Sequence, residues 1–594
     1  MTIIAGIWSA TRAELPRELT AHLARALSRN PADRPWTHEV PGCFLAKVDI
    51  GAFGEPAATS DPDGSATVLA GEPLLGGDDG SRWRPRTADT RRLHDGAVRG
   101  DSRAARDAKG AYCALHYDAR EHVLRGTTDL LGIRPLYEYA TGEYVFFASA
   151  LRILEGVPEV SLTLDARGAL EQALLFTPLH GRSVYREVRL LAPSERVTWS
   201  ARGRQAETLR AWDRVPPGRF AGVEDAVDAV DRAFARAVDR RRRDDTATVA
   251  FLSGGLDSRL IVTSLRRAGL AVRTLNFSLV GSLDHEIGRL FAGAIGSVHD
   301  ERPYHAGLDD KYLRMAAEAL LSPPAGAVAP ERPGFLWAGY GGSGILGQIN
   351  NHPEYVERCR RGDLTGAVDA FLDLKGARVP ARLFRAPWSA ALADLTRDEI
   401  LAAVSELAPA DPGRVFDLYL LLNATRTQLH GDHESTDIDR FEQQTPFFDP
   451  DLVENALSVP YEWLAGHHLY HRWLERFGPP VTSVPWQAYP RHEPCPLPPP
   501  SRGRPQWAIA RSRAFRRKAL MRAALRLLGG PLPGELLDRK YLAAVSVLHA
   551  LGVRNYGYAI RVARHLAGIW ERTGRNELGP ASPPVGAERD MVFS

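Results

Sequence analysis

The segment Val249-Ala250-Phe251-Leu252-Ser253-Gly254-Gly255-Leu256-Asp257-Ser258-Arg259-Leu260-Ile261 narrows the choice of fold more than any other stretch of the chain. An apolar run of strand length ends in Ser-Gly-Gly and passes at once into a helical pattern. The two glycines let backbone N–H groups close around an anion, and the helix that follows turns its positive end toward the same point. Strand, glycine turn and helix form the unit of an α/β domain with a parallel sheet, and the turn offers a phosphate site. No Gly-Lys-Ser/Thr closes it, so the lysine that a Walker A loop sets on the β- and γ-phosphates is absent.

The flanks extend the same reading. Val223, Ala226, Val227, Val230, Phe234 and Val238 are spaced for one face of a helix that ends in Arg240 to Arg243. Arg273 to Ser278 reads as the next parallel strand, and Asp284-His285-Glu286 opens another helix. Before about residue 215 the pattern differs. Ile3 to Trp8, Cys43 to Val48, Tyr112 to Tyr117 and Tyr144 to Ala148 are strand-length runs separated by turn residues. With 594 residues, two domains are the minimum. Beyond a proline-rich stretch at 493–505, Arg511 to Leu528 reads as a basic amphipathic helix, with Phe515, Leu520, Ala523 and Leu527 as an apolar stripe. That stripe either packs inward or docks a partner.

Bulk properties exclude several classes. The net charge is +3 on 75 basic and 72 acidic residues, so nothing draws the whole chain to nucleic acid or to a membrane surface. The four cysteines form no CxxC pair, and His430, His433, His467, His468 and His471 lack a convincing metal spacing. No apolar window of about 18 residues occurs, and a cytoplasmic protein is expected.

The turn resembles the PP-loop, Ser-Gly-Gly-x-Asp-Ser, of enzymes that split ATP into AMP and pyrophosphate, and the resemblance widens to the asparagine synthetase family. Thr2 to Trp8 resembles the start of a class II glutaminase domain, and Thr128 to Tyr137 its Arg-Asp-x-x-Gly-x-x-Pro-Leu-Tyr segment. Trp212-Asp213 matches that domain's end, and Thr445 to Asp449 with Leu452-Val453-Glu454 resembles a synthetase segment. The fold this implies is α/β, an Ntn-hydrolase-like αββα domain followed by a parallel-sheet PP-loop domain (adenine nucleotide α-hydrolase-like) with a helical C-terminal part. Its expected bounds are 1–215, 216–500 and 501–594.

By the same resemblance the cofactors are ATP and Mg²⁺. Ser253, Gly254, Gly255 and Ser258 would grip pyrophosphate, with Gly339 beside them, and Leu252 and Phe277 would border the adenosine. Asp257, with Asp284 or Glu286, would hold the metal, a helix cap being the alternative for Asp284. The catalytic set would be Asp257, Tyr340, Arg472 and Arg491, the arginines or His492 standing in for the family's lysine, since no Lys lies between Lys375 and Lys518.

Three departures carry functional content. The nucleophilic cysteine of a class II glutaminase is Thr2 here, and the Asn-Gly-Glu of its glutamine pocket reads Ala70-Gly71-Glu72. The acidic residues of a family metal segment fall on Tyr340, Ser343 and Gly344. Family members without the cysteine include lasso-peptide macrolactam cyclases and β-lactam synthetases, which use an amine already in the substrate. The expected partners are therefore a carboxylate substrate, such as a ribosomal precursor peptide with leader-binding proteins, with no nucleic acid, no membrane, and a homodimer allowed. Ammonia-dependent amidation of a small or sugar carboxylate, or a non-catalytic scaffold, are the alternatives.

Overall fold

A computed structural model describes the chain apart from residues 1, 12, 55, 77–83, 159, 219, 279, 303–310, 349–350, 376–379, 393–394, 487–511, 531–533, 555, 573–577 and 580–594. The first 215 residues build two six-stranded antiparallel sheets. One runs Val188–Leu190, Tyr137–Ala140, Tyr144–Ala148, Thr2–Ser9, Cys43–Asp49, Trp36–Val40 in spatial order. The other runs Gly203–Thr208, Glu195–Ser200, Val123–Thr128, Tyr112–Asp118, Ala66–Gly71, Ala58–Ser60.

Strand Thr2–Ser9 shows why its sequence is apolar at nearly every position. Ile4 and Trp8 face the second sheet, packing with Leu45, Val68, Leu115 and Phe147. Ile3, Ala5 and Ile7 point the opposite way, as the pleat requires, into a layer of helices. Helices Arg17–Ala26, Leu151–Glu155 and Ala166–Leu175 cover that outer face, while Arg86–Val98 and Arg103–Asp107 cover the outer face of the second sheet. The result is the expected αββα sandwich.

The C-terminal helices complete this same sandwich. Leu542, Val545, Ile560 and Leu566, from Arg539–Leu551 and Gly557–Arg572, lie in one core with Ile3, Ile7 and Phe146. In helix Ser512–Gly529, Ala524 is buried, and Leu520 and Leu527 pack against that core, so this part of the expected stripe faces inward. Strand Leu578–Gly579 pairs in parallel with Leu164–Asp165. The proline-rich stretch lies outside the described residues.

The second domain is a five-stranded parallel sheet in the order Val298–Glu301, Ala271–Asn276, Ala247–Phe251, Phe335–Trp337, Glu442–Gln444. The chain moves outward from Ala247–Phe251 in one direction, then crosses to its other side. A crevice therefore opens beyond the carboxyl ends of Ala247–Phe251 and Phe335–Trp337, where ligands of such sheets bind. Helices Val223–Arg242 and Leu256–Arg267 pack on one face, and Ala316 and Ala319 of helix Lys311–Leu321 pack on the other.

Buried ion pairs join the domains. Arg134 pairs with Glu442, and Arg243, just past the helix of the second domain, pairs with Glu72 of the first. A cleft lined by Phe53, Glu72, Ile133, Arg134, Gln443 and Phe448 lies between them.

Candidate active site at the phosphate loop

The Ser-Gly-Gly turn sits at the mouth of the crevice and is tied down from several sides. Ser258 Oγ accepts from Ser253 N–H at 3.1 Å, and Gly255 N–H donates to Ser253 Oγ at 3.2 Å. Gly255 is the N-cap of helix Leu256–Arg267, and no side chain caps it. The N–H groups of the first helical turn thus remain available to an anion.

Arg259 holds the loop from behind. Its guanidinium is fully buried, and donates to the carbonyls of Val481 (3.2 Å), Val484 (3.0 Å) and Pro485 (2.8 Å). It also reaches the carbonyls of Gly254 (3.4 Å) and Gly255 (3.3 Å), which draws the loop's C=O groups toward its own side. In front, Gly339 follows strand Phe335–Trp337 so closely that a methyl there would lie 2.8 Å from Ser258 N and Asp257 C. The crossing of two strand ends needs glycine at that point.

Two carboxylates flank the turn. Asp284 is buried and accepts a hydrogen bond from Gly254 N–H at 3.1 Å. Burial in the absence of a neighbouring cation raises its pKa from 3.8 to about 6, against the opposing Gly254 bond. Ser282 is the cap of helix Leu283–Ile295, accepting from His285 N–H, so Asp284 is free of the capping role and faces the loop instead. Asp257 accepts from Ser343 N–H (2.9 Å), Ser343 O–H (2.7 Å) and Tyr470 O–H (2.6 Å). Burial pushes its carboxyl upward, and these three donors pull it back.

The site corrects several sequence expectations. The Leu252 side chain is 1% exposed in the domain core, which leaves only its main chain to face the crevice. Its N–H bonds Leu275 O (2.8 Å) and its carbonyl accepts from Asn276 Nδ2 (2.7 Å). Phe277 is partly exposed and meets Phe251 edge-on, so it remains available as an apolar wall. Glu286 is exposed, one residue past the turn-facing side of its helix, whereas Asp284 points inward. Tyr340 is partly buried and packs against the core beside the loop.

Arg472 is turned away from the loop. Its side chain is about half exposed and pairs with Glu224 and Glu475. Tyr470, two residues earlier and therefore on the opposite side of helix His468–Glu475, is the residue that reaches Asp257. Arg491 and His492 lie outside the described residues. Tyr470, Ser343 and Arg259 were not singled out from sequence for these contacts. His430 bonds Gly132 O at 3.0 Å, and among the described residues no group of three or more His, Cys, Asp or Glu could hold a metal ion.

Beside the helix Gly342–Leu346, which carries Ser343, a second cleft is lined by Gly344, Ile345, Gln348, Asp417, Leu421 and Val453.

The pocket at Thr2 has a different character. The register of the first sheet sets Thr2 opposite Asp49. Fully buried Arg86 donates to Thr2 Oγ1, to Asp49 (2.9 Å) and to Gly71 O (2.8 Å), and stacks over Phe53 at 4.1 Å. Lys47, 2% exposed, joins Asp49 at 3.1 Å, and burial together with the Arg86 charge lowers its pKa to about 8. The Thr2 hydroxyl is thus held by a cation, and no base reaches it among the described contacts.

An αββα sandwich joined to a parallel sheet with a Ser-Gly-Gly-Leu-Asp-Ser loop at its switch point defines a two-domain protein of the amidotransferase-plus-synthetase class. The family models agree: the glutamine amidotransferase domain matches residues 78–211 and the asparagine synthase domain residues 229–321. The chain thus carries two stretches that match the domains of asparagine synthetases. It is similar to "Asparagine synthetase [glutamine-hydrolyzing] 3" of Bacillus subtilis (strain 168), 25% identical over 228 residues, 36% of this chain and 36% of that protein. It is also similar to "Asparagine synthetase [glutamine-hydrolyzing] 1" of the same strain, 27% identical over 197 residues, 32% of this chain and 30% of that protein. The matched stretch thus spans about a third of the length of these curated relatives. Among solved structures, the glutamine phosphoribosylpyrophosphate amidotransferase of B. subtilis is 12% identical with a TM-score of 0.25, over 50% of this chain and 90% of that one.

Proposed function

We propose that the chain is an ATP-dependent, AMP-forming carbon–nitrogen ligase whose acceptor amine does not come from its own amidotransferase domain. The observation that carries this is one molecule with an open phosphate cradle at Ser253 to Ser258 and a nucleophile position, Thr2, held by buried Arg86.

In this reading a substrate carboxylate oxygen attacks the α-phosphorus of ATP. The Pα–O bond to the β-phosphate breaks, and pyrophosphate stays on the loop hydroxyls and helix amides. An amine nitrogen then attacks the acyl carbon, and AMP leaves. The residues contribute orientation and charge stabilisation, while adenylation supplies the driving force. The cleft at Gly344 and Ile345 would seat the carboxylate, and Phe277 would wall the adenine side.

Mg²⁺ fits Asp284 best. A buried carboxylate with one neutral donor gains most from a cation, and Mg²⁺ on nucleotides needs only one or two protein carboxylates besides the phosphates. When bound, the metal would neutralise phosphate charge.

The acceptor is read as an amine already present in a substrate, as in lasso-peptide macrolactam cyclases or β-lactam synthetases. Pyrophosphate release from ATP with candidate carboxylates, with and without glutamine, tests it. Release that depends on the carboxylate and ignores glutamine supports the reading; release that rises with ammonium points to amidation by ammonia, and no turnover or ATP binding sinks the ligase reading. Thr2→Cys is expected to release no glutamate from glutamine above the wild-type background, because Arg86 and Ala70 remain. A glutaminase assay on that variant checks it.

A further inference from the structure

Asp257 is the residue that the PP-loop resemblance makes a metal ligand, yet the fold has filled most of its capacity to accept. A carboxylate offers about four lone-pair sites. Tyr470 O–H, Ser343 O–H and Ser343 N–H take three of them here.

Each donor is held rigidly. Tyr470 is fully buried, and its ring stacks between Trp473 (5.7 Å, 23°) and His467 (5.8 Å, 10°). The helix carrying Ser343 approaches so near that a methyl at Gly342 would lie 2.7 Å from Asp257 Cγ. Ser343 also stands where the family segment has a carboxylate, and two carboxylates at this separation would repel unless a cation lay between them. A serine turns that repulsion into a hydrogen bond.

We propose that Ser343 and Tyr470 form a hydroxyl latch on Asp257 that replaces a preformed divalent-cation site, so that the cation arrives only with the nucleotide. Tyr470 and Ser343 are positioning residues: they hold the first helical turn, and with it the phosphate cradle, without an ion. Only the nucleotide-dependent arm rests on the ligase reading; the latch itself is tested on the protein alone.

The probe is Mn²⁺, followed by electron paramagnetic resonance on the full chain. Wild type without ATP is expected to bind Mn²⁺ more weakly than about 1 mM, the range of the poorest oxygen sites. Ser343→Asp, which sets a second carboxylate against Asp257, is expected to bind it at least about tenfold more tightly, as added ligand charge does. Asp257→Asn in that background should abolish the gain. Tyr470→Phe, which frees one acceptor position, should tighten binding by a smaller factor, and decides the matter should Ser343→Asp fail to fold. Tight Mn²⁺ binding by the nucleotide-free wild type that Asp257→Asn removes would overturn the latch. So would folded Ser343→Asp, or Tyr470→Phe alone, binding no better than wild type. Failure to bind ATP would count against the ligase reading and leave these results standing.

Discussion

Gly339 shows how much a single position can carry. A methyl there meets main-chain atoms of Asp257 and Ser258 at 2.8 Å, and main chain cannot rotate aside as a side chain can. Gly339→Ala should therefore displace the first turn of the loop helix, costing about 1–3 kcal/mol of stability and more in function. A nucleotide titration beside a thermal melt should show ATP affinity falling at least tenfold, on the order of 1.4 kcal/mol or more, in a protein that still folds.

Asp284 makes a prediction in pH. Its folded pKa, about 6, lies above the ordinary 3.8, so the folded chain binds this proton more tightly than the unfolded one between those values. Stability from this group is present at low pH and declines as pH rises through the window, by an amount on the order of 3 kcal/mol at most. Asp284→Asn should remove that slope from urea midpoints measured across pH 4 to 7, while the Mg²⁺·ATP affinity proposed for the ionised carboxylate should rise through about pH 6 in wild type alone. The placement of Asp284 against the loop was half legible in the sequence, because an acidic residue opening a helix beside a glycine turn has few places to point. Its competing role as a cap fell to Ser282, whose claim depends on where the helix begins, and single sequences place helix starts poorly.

At the scale of elements, the strand, turn and helix of residues 247–267 were readable because their signals are local: an apolar run, two glycines, a 3.6-residue period. The helix His468–Glu475 was not. Arg472 drew notice as a charge, but Tyr470, facing the other way, is 213 residues from Asp257 in sequence, and no local pattern announces that contact. Arg259 is similar: within the motif it reads as an ordinary helix residue, and its carbonyl partners lie at 481–485. Arg259→Met would leave those carbonyls buried without donors. It should cost roughly 3 kcal/mol or more, given penalties of about 1–3 kcal/mol for each unsatisfied group. Chemical denaturation would measure it, and a change below 1 kcal/mol on the order of an ordinary surface substitution would show the strap to be dispensable.

For the whole molecule, the two domains were visible as a change from strand-rich to helix-rich pattern near residue 216, yet nothing in that pattern told how they meet. They meet through buried charge. Arg134 and Glu442 are 3% and 1% exposed. Glu442→Gln should destabilise by about 3–5 kcal/mol, the usual result of stripping one partner from a buried pair. Calorimetry should show the transition fall in temperature; two separated transitions would mean that the pair is what couples the domains.

The docking of helices Arg539–Leu551 and Gly557–Arg572 on the sheet that holds Thr2–Ser9 has a consequence for how the chain is made. Domains ordinarily fold as they leave the ribosome, N-terminal part first. Here part of one oily flank of the sandwich, whose strands end at Thr208, stays uncovered until helices Arg539–Leu551 and Gly557–Arg572 have been translated. A sheet made well before its covering helices is thus among the last parts to be finished, and a chaperone that shields that flank would find its work in the interval.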